Sequence, residues 1–167
     1  MADNRSARLA LPFIESGQAQ KEVTHNEALA LLDIAVQPDV EAVGVDVPPA
    51  SPVAGQCWVV GTAPLGAWAG QAGRVAGWTD GGWRFLTVRE GARVWDRSTS
   101  RYATRSAGMW ESGVVRGAKL VVAGKQVVAE QRPAIVDPAG GSSVDAQARA
   151  AIGAILAALR AHGLVAS

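Results

Sequence analysis

A mainly β fold with terminal helices (α+β) is predicted, in which a small antiparallel β domain lies between an N-terminal helical arm and a C-terminal amphipathic helix. Three observations predict it. Residues 40–130 are short β-favouring runs separated by turn residues. All six tryptophans fall within that stretch. Apolar positions at helical spacing, with capping signals in front of them, occur only on either side of it.

Taken in order, the elements have distinct residue patterns. Residues 1–22 are largely polar and contain Gly17; Leu9, Leu11, Phe13 and Ile14 are their only sizeable apolar groups. Such a segment is expected to lack the apolar content to fold onto its own β domain, and to extend with Leu9, Leu11 and Phe13 on one face. Ser16 to Lys21 reads as either a short helical turn or part of that arm. Thr24-His25-Asn26-Glu27 fits a capping box. Ala28, Leu29, Leu32, Ala35 and Val36 then predict one apolar helix face, ended by Pro38.

Cys57-Trp58-Val59-Val60 reads as a buried strand behind the stiff Pro48–Pro52 loop. The glycine-rich stretch 61–77 reads as a loop or irregular β segment. Asp80-Gly81-Gly82 between Trp78 and Trp83 predicts a tight hairpin, because these residues tolerate positive φ. Arg93–Trp95 with Tyr102–Thr104, and Lys119–Val122 with Gln126–Ala129, bracket two more turns. Pro133 to Gly141 is a linker by composition. Ser142-Ser143-Val144-Asp145 precedes a tail helix whose stripe is Val144, Ala148, Ile152, Ile155, Leu156 and Leu159, with Gly163 as its C′ residue. The expected organisation is thus 1–38 arm and helix, 39–132 Trp-rich β domain, 133–141 linker and 142–167 amphipathic helix. A lone amphipathic helix is marginal, so its stripe must dock on the β domain or on symmetry-related copies. Ile152, Ile155, Leu156 and Leu159 are the expected oligomer interface.

The composition narrows the function classes. With 49% hydrophobic residues the chain has enough apolar content for a core. Its single cysteine, Cys57, excludes an intrachain disulfide and a dithiol redox centre, in keeping with maturation in a reducing cytoplasm. Pro12 and Glu15 interrupt the first apolar run, so no export signal is expected, and no run is long enough for membrane insertion. A formal net charge of +1 argues against nucleic acid as a partner. The charge is uneven: residues 1–83 hold four basic and nine acidic side chains, and 84–132 hold ten and four. Arg89, Arg93, Arg97, Arg101 and Arg105 in the basic stretch read as a solvated rim of strand ends or as a patch for an anionic partner.

Catalytic patterns are sparse. The nucleophile-elbow, P-loop, dinucleotide and zinc-protease motifs are absent, and His25 and His162 stand in opposite terminal segments. No metal site, cofactor or enzymatic activity is expected. His25 with Glu27 reads as ordinary polar decoration of a first helical turn. Asp80, Glu90, Asp96 and Glu111 are the acids near turns from which a carboxylate pair would have to come. The tryptophans have two readings, as core fillers or as exposed platforms that stack on sugar rings or anchor an interface. Trp68, flanked by small residues, is the expected exposed ring, with Trp78 and Trp83 as further ligand-binding candidates.

Leu11-Pro12-Phe13-Ile14, Gly17–Thr24 and Asn26–Leu29, followed by Pro49–Pro52, Gly55, Val59-Val60-Gly61, Gly66–Gly70, Trp78 and Trp83, form a series of blocks. With Val144–Ile152 and Leu159–Leu164 they cover most of the chain. In these blocks it resembles a family of phage and gene-transfer-agent structural proteins whose shared domain has no known function. It departs from the family pattern at Trp95-Asp96-Arg97, where a Trp-Asp-Gly turn is usual. The resemblance implies a non-enzymatic subunit on the surface of a virion or gene transfer agent made in a bacterial cytoplasm. The implied role is a head-spike base on the capsid, or else a tail-fibre adaptor. Its implied partners are itself as a trimer or pentamer, capsid or tail proteins, a fibre or receptor-binding protein, and host polysaccharide. The arm, through Leu9, Leu11, Phe13 and Ile14, is the expected particle-attachment element.

Overall fold

A computed structural model describes residues 4–14, 21–142 and 145–167. The chain divides into two units, Met1–Val114 and Val115–Ser167. The break falls inside the stretch 39–132 read as one β domain. The polar residues 16–20 and the capping residues Ser143 and Val144 lie outside the described residues.

The first unit holds helix α1 (Lys21–Ala35) and strands β1 (Asp39–Val40), β2 (Val43–Val45), β3 (Cys57–Val60), β4 (Val75–Thr79), β5 (Gly82–Leu86), β6 (Arg93–Asp96), β7 (Arg101–Ser106) and β8 (Met109–Ser112). The strands form two four-stranded sheets, ordered β2-β3-β4-β5 and β1-β6-β7-β8. The mainly β class with terminal helices is as expected, but pairing is not wholly antiparallel. β1 runs parallel to β6 and β2 parallel to β3. Segment 39–45 thereby edges both sheets.

Hairpins arise where short-range turn chemistry demands them. Asp80-Gly81 joins β4 to β5, with Trp78 opposite Trp83. The left-handed residue of this turn is Gly82 (φ 97°), and neither Asp80 nor Gly81 takes a positive φ. The β6–β7 turn has no glycine. Buried Asp96 holds it by accepting hydrogen bonds from Ser98 N (3.0 Å), Ser98 Oγ (2.7 Å) and Thr99 Oγ1 (2.9 Å), and Ser100 takes the positive φ. That is how the departure at Trp95-Asp96-Arg97 is accommodated.

Strand β3 is buried along its whole length because both of its faces are covered. Cys57 and Val59 pack with Ile34 of α1, Val75, and Val94 and Ala103 of the other sheet. Trp58 and Val60 pack on the opposite side with Trp68 and Ala76. Helix α1 lies so close over β4 that a Cβ at Gly77 would sit 2.5 Å from Ile34 Cδ1.

Two expectations for the N-terminal region are corrected. Helix α1 already runs from Lys21, so Thr24–Glu27 lies within it and is not its cap. Its inward positions are Ala30, Asp33 and Ile34, whereas Leu32 and Val36 are exposed, so the apolar face is rotated from the predicted one. The arm, in turn, folds onto its own domain. Residues 4–13 make a small hairpin, with Ser6 N donating to Leu11 O and Phe13 N to Asn4 O, both at 2.9 Å, and Ala10 at φ 52°. Buried Asp33 accepts from Ser6 Oγ (2.7 Å), Leu9 N (2.7 Å) and Arg8 N (3.0 Å). The Arg8 guanidinium donates to the carbonyls of Asp33, Ile34 and Gln37 at and just beyond the end of α1, and pairs with Asp39. Polar bonds, not apolar content, anchor this arm.

The second unit contains the hairpin β9 (Leu120–Val122) and β10 (Lys125–Val128), turned at Ala123-Gly124, and helix α2 (Ala146–Ala161). Asp145 caps α2 by accepting from Ala148 N at 2.9 Å, so the cap is the last residue of the predicted signal. Gly163 (φ 69°) closes it, with Leu164 N donating to Leu159 O at 2.9 Å. The strand-like segment at Arg132 pairs with Val165, and Arg160 reaches Asp137 at 3.2 Å.

Candidate functional site

Four of the six tryptophans form one cluster. Trp83 stands edge-on to Trp58, Trp68 and Trp78, with ring centroids 5.6, 5.1 and 4.9 Å away, and Trp58 and Trp68 are 6.1 Å apart. Such tilted and edge-to-face contacts add to the area the rings bury. Trp68, expected to be exposed, has 0% exposure: its 3-10 turn, Gly66–Trp68, packs the ring against Trp58, Val60 and Ala76 of the sheet. It is the centre of a core, which removes it as a platform. Trp78 and Trp83 are half-buried in the same cluster.

The exposed aromatic surface is elsewhere. In β6, Val94 and Asp96 point inward, which turns Arg93, Trp95 and Arg97 outward. Trp95 pairs across the sheet with Tyr102 of β7, ring centroids 5.0 Å apart and nearly perpendicular. They are 37% and 51% exposed. The Arg93 guanidinium lies 4.5 Å over the Tyr102 ring. Gln37, Pro38 and Asp39 complete a shallow hollow of about 480 Å³ around these three residues. The strict alternation Arg-Val-Trp-Asp could have shown this from the sequence, since a strand with Val94 inside must put Trp95 outside.

The arginine series serves separate purposes. Arg97 pairs with Asp39 and Glu41, Arg105 lies 4.0 Å from Glu90, and Arg93 stacks on Tyr102. The four acids are likewise scattered: Asp80 stands in the β4–β5 turn, Asp96 holds the β6–β7 turn, Glu90 accepts from Gly108 N at 3.0 Å, and Glu111 belongs to β8. Among the described residues no group of three or more His, Cys, Asp or Glu is arranged to hold a metal. No helix among them is long and apolar enough to cross a membrane.

A second cleft, of about 300 Å³, lies between the arm, α1 and strands β3 to β5, with Phe13, Ala30, Ile34 and Cys57 among its walls. Burial pushes the Cys57 thiol up to about 11, against a partial opposing effect of Arg8. A thiol held neutral in this way is a packing group and not a nucleophile. Leu9, Leu11, Phe13 and Ile14, the expected attachment residues, are each half-buried in the docked arm. In the second unit Leu156 is buried and Leu159 half-buried, while Ile152 and Ile155 are exposed. The predicted stripe is therefore split between packing and open surface.

No curated protein matches the chain. Residues 25–111, which run from α1 through the tryptophan cluster and the Trp95–Tyr102 pair into β8, match a protein family of unknown function, DUF2793. That segment is more than half of the chain, and the chain belongs to this family.

Proposed function

We propose that this chain is a non-catalytic structural subunit of a phage-like particle. In this reading it is a head-spike base on the capsid that carries a fibre or receptor-binding protein, with a tail-fibre adaptor as the alternative position. The observation that carries the reading is the division of labour along the chain. One unit has a well-packed core and an outward aromatic face, and the other leaves most of its apolar side chains exposed. A joining subunit needs both, a rigid body and surface reserved for neighbours. The resemblance of the arm and tail blocks to phage and gene-transfer-agent proteins supplies the particle context. The test is to tag the chain in a producing strain and separate capsids from tails. It should co-purify with capsids; recovery with tails selects the adaptor, and absence from both overturns the reading.

A second reading, direct binding of host polysaccharide, is favoured by Trp95 and Tyr102. Two exposed rings rimmed by Gln37, Asp39 and Arg93 offer apolar faces for the C–H side of a pyranose and polar groups for its hydroxyls. Glycan-array signal that disappears on Tyr102→Ala, with the fold retained, supports this reading. Signal unchanged by Tyr102→Ala and Trp95→Ala overturns it.

A further inference from the structure

The two arginines beside Trp95 differ in how far they are already engaged. Arg93, Trp95 and Arg97 alternate on the outer side of β6, so an arginine stands about 7 Å along the chain on either side of the indole. Arg97 is committed: it pairs with Asp39 and Glu41, and Asp39 also takes Arg8. The acid in the wall of the hollow is thereby shared by two guanidiniums. Arg93 is exposed and lies over the Tyr102 ring, and among the described residues no ion pair engages it. A guanidinium stacked on a ring keeps its N–H donors in its own plane, where they point past the ring edge. The stack also restrains the side chain, so less rotamer freedom is lost when a ligand accepts from it.

We propose that the sugar recognised at this face carries a carboxylate, which Arg93 binds while the pyranose lies on Trp95. The inference rests on reading the Trp95–Tyr102 hollow as a polysaccharide site and names the class of sugar it selects. Charge is the first observation behind it. Around the hollow Arg8, Arg93 and Arg97 stand against Asp39 and Glu41, and the charge left without an acid is that of Arg93. Position is the second. Arg93 shares a strand face with Trp95, so a group projecting from the edge of a sugar stacked on the indole meets the guanidinium, whose planar fork fits a planar carboxylate with two parallel hydrogen bonds. Nucleic acid fits less well. A phosphate backbone needs a run of available cations, whereas Arg97 is already paired and residues 1–114 carry a formal charge of −2.

The experiment uses the full chain and measures its binding to immobilised polygalacturonate, hyaluronate and alginate, each beside the same polymer with its carboxyls reduced to alcohols. An acidic polymer should bind about tenfold or more tightly than its reduced form, as expected for charge-assisted hydrogen bonds. Arg93→Gln should lower the acidic form to the level of the reduced one and leave the reduced form unchanged, with tryptophan emission unaltered. Arg101→Gln removes the same charge one position from Tyr102 but on the other side of β7, and should keep the preference. Equal binding of acidic and reduced forms, both lost in Trp95→Ala, overturns the carboxylate assignment and leaves the polysaccharide reading standing. Binding of neither form of any polymer overturns both. A preference that survives Arg93→Gln, or that falls as far in Arg101→Gln, overturns the proposal, as does tighter binding of dextran sulfate or single-stranded DNA than of every uronate polymer.

Discussion

Of the fourteen buried hydrophobic residues among those described, twelve belong to the unit ending at Val114; the unit from Val115 onwards contributes Leu156 and Val165. Both units contain regular elements with sound local chemistry, including left-handed turn residues and a capped helix. The difference lies in layering. In the first unit each sheet is covered by another layer, either α1, the second sheet or the 3-10 turn that brings in Trp68. In the second, a hairpin and a helix keep their secondary structure while leaving valines and isoleucines open. Local propensity is thus enough to shape an element and insufficient to give it a core. Formal charge divides the same way, −2 for residues 1–114 and +3 for 115–167, which together give the net +1.

The largest effect expected from this contrast is at Trp68. Trp68→Ala removes a fully buried ring from the centre of the cluster and should destabilise the first unit by about 3–5 kcal/mol. Urea unfolding followed by tryptophan emission reads it; a loss below about 1 kcal/mol would mean that the cluster is not the core it resembles. Next comes the arm. Asp33→Ala strips three donors of their acceptor and should cost about 2–4 kcal/mol. Limited proteolysis should then cut within residues 4–14 of the folded variant and spare the wild type.

A smaller effect concerns Cys57. Its thiol is raised from 9.0 to about 11, so the neutral form is favoured in the folded chain. The stability this contributes is whole below pH 9 and is lost as pH rises towards 11, because only the unfolded chain ionises in that window. Native protein at pH 8 should resist thiol reagents, and Cys57→Ala should flatten the pH 9–11 decline in unfolding midpoint. Rapid labelling under native conditions would show that the site opens. The smallest expected effect is in the second unit: Ile155→Ser, at an exposed position, should move the unfolding midpoint of the first unit by less than about 0.5 kcal/mol equivalent. A large shift there would show that the position is not the open surface its exposure indicates.

Elements governed by near neighbours were readable in advance. Asp80-Gly81-Gly82 announced a hairpin, the run Cys57–Val60 a buried strand, Pro38 a helix end and Gly163 a helix stop. Errors arose wherever a side chain's partner lies far along the chain. Trp68 has small neighbours in sequence and large ones in space. Asp33 breaks the apolar stripe of α1 because its donors, Ser6, Arg8 and Leu9, stand more than twenty positions upstream. The inward face of α1, Ala30, Asp33 and Ile34, is rotated from the apolar stripe for the same reason. The exposed pair Trp95–Tyr102 was legible in outline from strand alternation, although nothing local distinguished its rings from those that fill the core.

By itself the sequence determined the β-rich class, the helices on either side of it and the turns at Asp80–Gly82 and at Gly163. These follow from backbone sterics and short-range hydrogen bonding, which act over a few residues. Only the tertiary structure decided which tryptophans are core and which are surface, where the arm rests, and that segment 39–45 edges two sheets. Burial depends on which layers meet, and layers are built from residues that are strangers in sequence.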